Sequence, residues 1–449
     1  MIENGNNLVN DSIKKLILTL AIPSILGQVL DIGYNIIDGI FIGQWVGENG
    51  LAGIGLALPI TLVNMAISIM IAVGTSTAIG RYIGQKRIKE SSDILSLGLF
   101  YSVLLNGILS VVIIVFGEEI LMLMGIGTSL NSQAMSYLSV VSIGFVFMGI
   151  AMLLCDVLRN EGLIIPTVVV MLIGMLGNIV LDVVFMYFIP LGMLGAGIAT
   201  LGAQFIALIY ILFYYRFRDS LKISFSDIKF EYSKEIFSIG AGVFLREIVE
   251  AIVIVIYNYL LLKFGGVLYL AAFSIINKII MVVYMPVGGF AEGLQPIISV
   301  NYGANRNDRV HESIRIGVVF STIYAIIAVI GSYQFRNNII GIFGGTKELL
   351  NITEKCYNIM IMGLIFIPVT IIATTLFQGV NKPKESLIVN LSRQCIFLLP
   401  FLIILPNYFG VSGVFYSTVI SEILSCITSV FLIDNYFTKL KLNTKPSTV

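Results

Sequence analysis

The chain has 449 residues, of which 57% are hydrophobic and 12% charged, with a formal net charge of +1. Soluble domains carry about 25% charged residues, so a water-soluble globule is excluded, and near-neutrality excludes a strongly basic nucleic-acid surface. One histidine, four scattered cysteines without CxxC spacing and no GxxxxGK[ST] loop leave neither a disulfide or metal framework nor a site for ATP hydrolysis.

A membrane-crossing helix needs about 20 apolar residues. Backbone polar groups that cannot reach water must be satisfied within the segment, which makes such runs helices. On that basis twelve spans are predicted, near 14–42, 51–80, 93–117, 133–158, 163–188, 193–215, 235–262, 268–298, 314–335, 356–380, 387–406 and 410–434. The predicted fold class is an all-α membrane protein with six helices in each of two lobes. The stretch Leu20–Gly84 returns 219 residues later as Ile239–Gly303, bringing Gly47 onto Gly266, Gly84 onto Gly303 and Asp31 onto Glu250. The offset carries on through Gly125/Gly344 and Gly144/Gly363, then slips by one to pair Gly192 with Gly410. So long a period marks a duplicated half-molecule rather than a solenoid.

In chain order, the first span holds Pro23, which removes a backbone hydrogen bond and predicts a kink. Asp31, Asn35 and Asp38 follow on one face of the same helix. Asp156, Arg159 and Glu161 crowd the inner end of the fourth span and read as structural. The fifth span places Asn178 and Asp182 four apart on one face, in a run otherwise free of charge from Gly162 to Tyr215. A polar linker, 216–234, separates an N-lobe, 1–215, from a C-lobe, 235–449. The seventh span carries Arg246, Glu247 and Glu250, and the eighth carries Lys278, which replaces Pro59 of the first repeat and is expected to neutralise Glu250. In the eleventh, Arg393 is expected to snorkel toward the inner interface. Ionisable groups inside spans are costly and tend to be functional.

Twenty lysines and arginines fall on the side of the chain termini, four on the other side and three within spans. By the positive-inside rule both termini are cytoplasmic. The opening MIENGNNLVNDSIKK has no basic n-region and no small-residue cleavage site, so no cleaved leader is expected. Six spans per half give both halves the same topology and a pseudo-two-fold axis along the membrane normal, with the substrate cavity between lobes.

The segments LAIPSI (20–25), NIIDGIFIG (35–43), GLAGIGLALPI (50–60), NIVLD (178–182), LGMLGAGIAT (191–200) and GLQPIISVNYGA (293–304), with LRNEG (158–162) and FQGVNKP (377–383), resemble the multidrug and toxic compound extrusion (MATE) family. The likeness is to its MepA-like and DinF-like bacterial branches and covers essentially the whole chain. It implies a twelve-helix, V-shaped exporter of cationic or amphiphilic compounds, driven by protons or sodium and needing no other cofactor. It also implies a monomer in the bacterial plasma membrane and not an enzyme. By position, Asp38, Asn178 and Asp182 look like the family's N-lobe cation site, and Glu250 falls on the acidic seventh-helix position of sodium-coupled members. The chain departs from those members in that Cys356–Val380 contains no carboxylate. In the expected mechanism Asp38 and Asp182 take up and release the coupling ion, because removal from water favours a carboxyl's protonated form, while Asn178 orients one of them. The alternative is a flippase for a lipid-linked precursor, which should line its cavity with several basic residues; three lie within spans here.

Overall fold

The computed structural model describes residues 8–123, 128–216, 221–225, 228–342 and 347–443. The side chains of Asp31 and Asn35, and the repeat pair Gly125/Gly344, lie outside the described residues. Within them every regular element is helical. The first repeat comprises α1 (Ile13–Trp45), α2 (Glu48–Gly84), α3 (Ile88–Leu123), α4 (Thr128–Asn160), α5 (Ile165–Asp182) and α6 (Met193–Arg216). The second comprises α7 (Ser233–Gly265), α8 (Val267–Gly303), α9 (Asn307–Gln334), a short α10 (Arg336–Ile342), α11 (Lys347–Met360), α12 (Ile367–Gly379), α13 (Pro383–Leu391), α14 (Leu399–Phe409) and α15 (Val411–Asn443).

Among the described residues, ten stretches are long and apolar enough to cross a membrane, and α11 with α12, bent by 40°, makes an eleventh. The twelfth is α7, 33 residues long, whose apolar run is interrupted by Arg246, Glu247 and Glu250. The chain is thus a multi-pass membrane protein with the predicted twelve-helix, two-repeat architecture. The predicted unbroken tenth span is corrected. It starts earlier, at Lys347, tightens to a 3₁₀ turn over Ile361–Ile365, and restarts at Ile367. Pro368, second in α12, has no N–H to continue the ladder across that joint. Two more spans change pitch without ending, through π turns at Val183–Phe188 after α5 and Ser392–Leu398 between α13 and α14. Pro23 lies inside α1, which continues through it.

The duplication is legible in the backbone. Every described residue with positive φ has a repeat partner: Gly47 with Gly266, Lys86 with Asn305, Gly162 with Asn381, and Gly192 with Gly410. The cores repeat too. One cluster gathers Ile42, Ala57, Ile60, Leu121, Tyr137, Leu138, Val141 and Phe145. The other gathers Leu261, Ile276, Ile279, Ile340, Cys356, Tyr357, Met360 and Leu364, the same positions 219 residues on.

Two compact units make up the chain, Met1–Phe244 with Ser299–Asn305, and Leu245–Ile298 with Arg306–Val449. The first unit therefore includes the opening turns of α7 and the end of α8. There a Cβ on Gly84 would collide with the carbonyl oxygen of Val300, and one on Gly303 with that of Arg81. Arg81 and Val300 are themselves repeat partners, so the contact is self-complementary in the manner of a two-fold interface. Beside it Arg81 pairs with Glu235 at 2.6 Å, and Tyr82 donates to the same carboxylate at 3.3 Å. Small residues at such crossings let membrane helices approach closely.

The linker is docked on this unit. The Lys222 and Ser224 N–H groups donate to Ser92 Oγ and Ser96 Oγ of α3, at 3.1 and 2.9 Å, and Lys229 pairs with Asp93 at 3.2 Å. Ser92 and Ser96 are about 6 Å apart along one helical turn, a distance that a two-residue step covers when the backbone is near-extended.

Candidate functional site

Four helices of the first unit converge on one polar site. The α5 segment turns Asn178 and Asp182 to the same side, and both are fully buried. Asp182 is the last residue before the π turn, where the hydrogen-bond ladder widens and side-chain register shifts. Such turns recur at functional positions. From α1, Asp38 brings its carboxyl to that of Asp182, close enough to share a hydrogen bond once one of them is protonated. From α4, Tyr137 faces both carboxyls and reaches the hydroxyl of Thr200 on α6. Thr200 in turn donates to the Ala196 carbonyl at 3.0 Å.

The structure thus brings together Asp38, Asn178 and Asp182 as the sequence predicted, and adds Tyr137 and Thr200. Neither addition had a strong signal: Tyr137 sits in the charge-free run Ile120–Cys155, and Thr200 is the last residue of the LGMLGAGIAT motif. Among the described residues, Asp38 Oδ1, both Asp182 oxygens and both polar atoms of Asn178 are buried with no hydrogen-bond donor or acceptor supplied by the rest of the protein. Ionised carboxylates only accept. Two facing carboxylates repel, a repulsion that a proton or a cation between them relieves, and Asn178 offers both an acceptor and a donor beside Asp182. Removing the Tyr137 hydroxyl takes away a polar group available to an ion bound between the carboxyls, an effect of about one hydrogen bond, about 1 kcal/mol or fivefold. Tyr137→Phe is accordingly expected to raise the concentration of coupling ion needed for half-maximal efflux about fivefold while leaving the melting temperature unchanged.

The second unit does not pair Lys278 with Glu250. Phe273, Ile276 and Ile279 are the buried face of α8, and Lys278, two residues past Ile276, lies on its exposed side and makes no ion pair among the described residues. Glu250 instead lies among Arg246, Arg393 and Tyr284. Arg246 is bound by its neighbour Glu247. Nor does Arg393 snorkel: its Nε donates to Glu422 at 2.6 Å, and its guanidinium lies 5.8 Å from the centre of the Tyr284 ring. Its partner is 29 residues away on α15, beyond the reach of any local pattern. Asp156 and Arg159 form a buried pair at 3.0 Å, in keeping with a structural reading.

Residues 23–184 and 243–404 each match the MatE family model, one match per repeat. The chain belongs to the MatE family. Membership makes it a transporter and not an enzyme. It is 22% identical over 422 residues to the multidrug export protein MepA of Staphylococcus aureus (strain MSSA476), covering 93% of both proteins. It is 24% identical over 445 residues to MepA of Staphylococcus haemolyticus, covering 96% of both. Among solved structures, an outward-facing MATE family transporter of the MOP superfamily superposes with a TM-score of 0.92 at 23% identity, over 97% of this chain and 98% of that one. A MOP superfamily transporter from Pyrococcus furiosus, described as having a binding pocket of reverse polarity, gives 0.91 at 24% identity over the same shares. These likenesses support the MatE fold along essentially the whole chain.

Proposed function

We propose that this MatE protein is a secondary active antiporter of the bacterial plasma membrane that exports cationic and amphiphilic compounds in exchange for protons or sodium ions. The observation that carries the reading is the facing pair Asp38 and Asp182, of which Asp38 Oδ1 and both Asp182 oxygens are buried without donors. With the pair empty of its ion, two carboxylates repel in a low-dielectric interior; with a proton or Na⁺ between them, the repulsion is gone. A site whose stability depends on occupancy is a ligand-biased switch, and ion binding shifts the conformational equilibrium by its difference in affinity between states. Asn178, Tyr137 and Thr200 complete the coordination. The names of the MepA relatives support the drug-export part of the reading. The flippase alternative is disfavoured because Arg246 and Arg393 are each bound to a carboxylate rather than free to take an anionic headgroup.

The test is efflux of ethidium from proteoliposomes with a proton gradient and a sodium gradient imposed separately. At least one of the two gradients, imposed alone, should drive uphill movement. Movement with neither gradient, or only with ATP, would refute antiport.

The orientation is likewise a proposal, with both termini cytoplasmic. In a variant lacking the four native cysteines, Asn337→Cys should be labelled on intact cells by an impermeant maleimide. Lys89→Cys should be labelled only after permeabilisation. Both positions are exposed, so access reports the side of the membrane and not burial. The reverse pattern would invert the topology.

A further inference from the structure

The repeat allows the coupling site to be compared with its own second copy. Asp38 falls on Tyr257, Thr200 on Thr418, and Asn178 with Asp182 within residues 396–401, which are all apolar. Tyr257 donates to the Val414 carbonyl at 3.3 Å, meets Thr418 Oγ1 at 3.2 Å, and stacks on Phe273 with ring centres 4.3 Å apart. Where the first unit has carboxyls without donors, the second has a satisfied hydroxyl in an aromatic core.

A carboxylate enters the second unit elsewhere. Gln204 lies against Gly144 in the first unit, and its repeat partner Glu422 lies against Gly363, the partner of Gly144. The exchange of Gln for Glu adds a charge with little change in shape. Among the described residues of the second unit, Glu422 is the one carboxylate in the fully buried class, 3% exposed. An isolated buried charge is costly, and Glu422 meets the Arg393 guanidinium at 2.6 Å. Arg393 comes from the π turn Ser392–Leu398, and Ser421, next to Glu422, donates its hydroxyl to the Arg393 carbonyl. Backbone and side chain of Arg393 are thus both tied to the same turn of α15. The charged and titratable groups near the pair are Glu250, Tyr284 and Cys426, with Arg246 near Glu250 and Tyr284.

We propose that Arg393 is a resident counter-cation for Glu422, occupying the place that an exchangeable proton or Na⁺ would otherwise take, so that this buried carboxylate carries no transported ion. A guanidinium bonded covalently to the chain cannot leave with the gradient, and it remains charged at every accessible pH. The inference rests on the reading of Asp38 and Asp182 as the coupling pair, but its test reads ion binding at Glu422 independently of transport.

The background is Asp38→Asn/Asp182→Asn, which removes the first unit's site. In it, melting temperature should be indifferent to replacing choline with Na⁺, since a ligand shifts stability only where it binds the folded state. Adding Arg393→Met strands Glu422. The melting temperature should then rise with Na⁺, or fall as pH rises and Glu422 loses its proton, and Glu422→Gln on top should abolish the dependence. No ion or pH linkage after Arg393→Met would overturn the proposal. So would a linkage seen with Arg393 intact that Glu422→Gln removes. Should the stranded charge prevent folding, Arg393→Met/Glu422→Met decides. Replacing a buried ion pair by apolar side chains of similar volume is often tolerated, and this variant, in the otherwise native protein, should keep its ion-to-substrate stoichiometry. A lower stoichiometry would show that Glu422 itself carries an ion. If Asp182→Asn left coupled transport intact, the assignment of Asp38 and Asp182 as the coupling pair would fail while the melting test still stood.

Discussion

Asp182→Asn is expected to reduce gradient-driven efflux to the level of empty liposomes while leaving the folded protein at least as stable. The amide keeps the size of the carboxyl but neither titrates nor offers a charge to Na⁺. Its neutrality also removes the desolvation of an ionised group at a fully buried position. Loss of transport therefore cannot be ascribed to misfolding if the melting temperature holds or rises. Dye binding should persist within about twofold, less than 0.5 kcal/mol, because substrate recognition does not require the coupling ion to exchange. Asp38→Asn should behave alike, since either change leaves a single carboxyl facing an amide. Glu250→Gln should retain part of its proton-driven activity, because Glu250 is no part of the Asp38–Asp182 pair and, unlike Asp182, is exposed. Full pH-driven efflux by Asp182→Asn, with loss in Glu250→Gln, would move coupling to the second unit and refute the assignment.

Much of this was legible in the sequence because its signals are local or periodic. Asn178 and Asp182, four apart in a charge-free run, needed only helical geometry to share a face. The duplication needed only an offset, and the positive-φ pairs show that it governs backbone shape as well as residue identity. What escaped was tertiary. Tyr137 joins the site because α4 happens to pass there, and an isolated tyrosine in an apolar span looks like core packing. The supposed Lys278–Glu250 pair followed from adjacent helices and opposite charge, but the side of α8 that is buried is set by Phe273, Ile276 and Ile279. Arg393 looked solitary because Glu422 lies on a different helix. The π turns after Asp182 and around Arg393 leave apolar composition unchanged, so periodicity alone does not reveal them.

The largest structural effect is expected at the crossing of α2 and α8. Gly303→Ala places a methyl group on the Arg81 carbonyl, and Gly84→Ala places one on the Val300 carbonyl. The obstructing atoms are backbone, so no rotamer change relieves them, and the two helices must separate. Overpacking of this kind costs about 1–3 kcal/mol and sometimes more. Separation would also strain the Arg81–Glu235 pair, in which the arginine side chain is 4% exposed. Gly288→Ala, in the same α8 helix with nothing near its missing Cβ, is the control. There helix propensity should favour alanine by about 0.5–1 kcal/mol. Gly303→Ala should therefore lower the melting temperature in detergent by several degrees, and Gly288→Ala should leave it level or raise it. The double change Gly84→Ala/Gly303→Ala should cost less than the sum of its parts, because a crossing already wedged open by one methyl group has room for the other, and sites in contact are not additive. Equal melting temperatures for Gly303→Ala and Gly288→Ala would show that the crossing is loose and that close approach at Gly84 and Gly303 does not hold the first unit together.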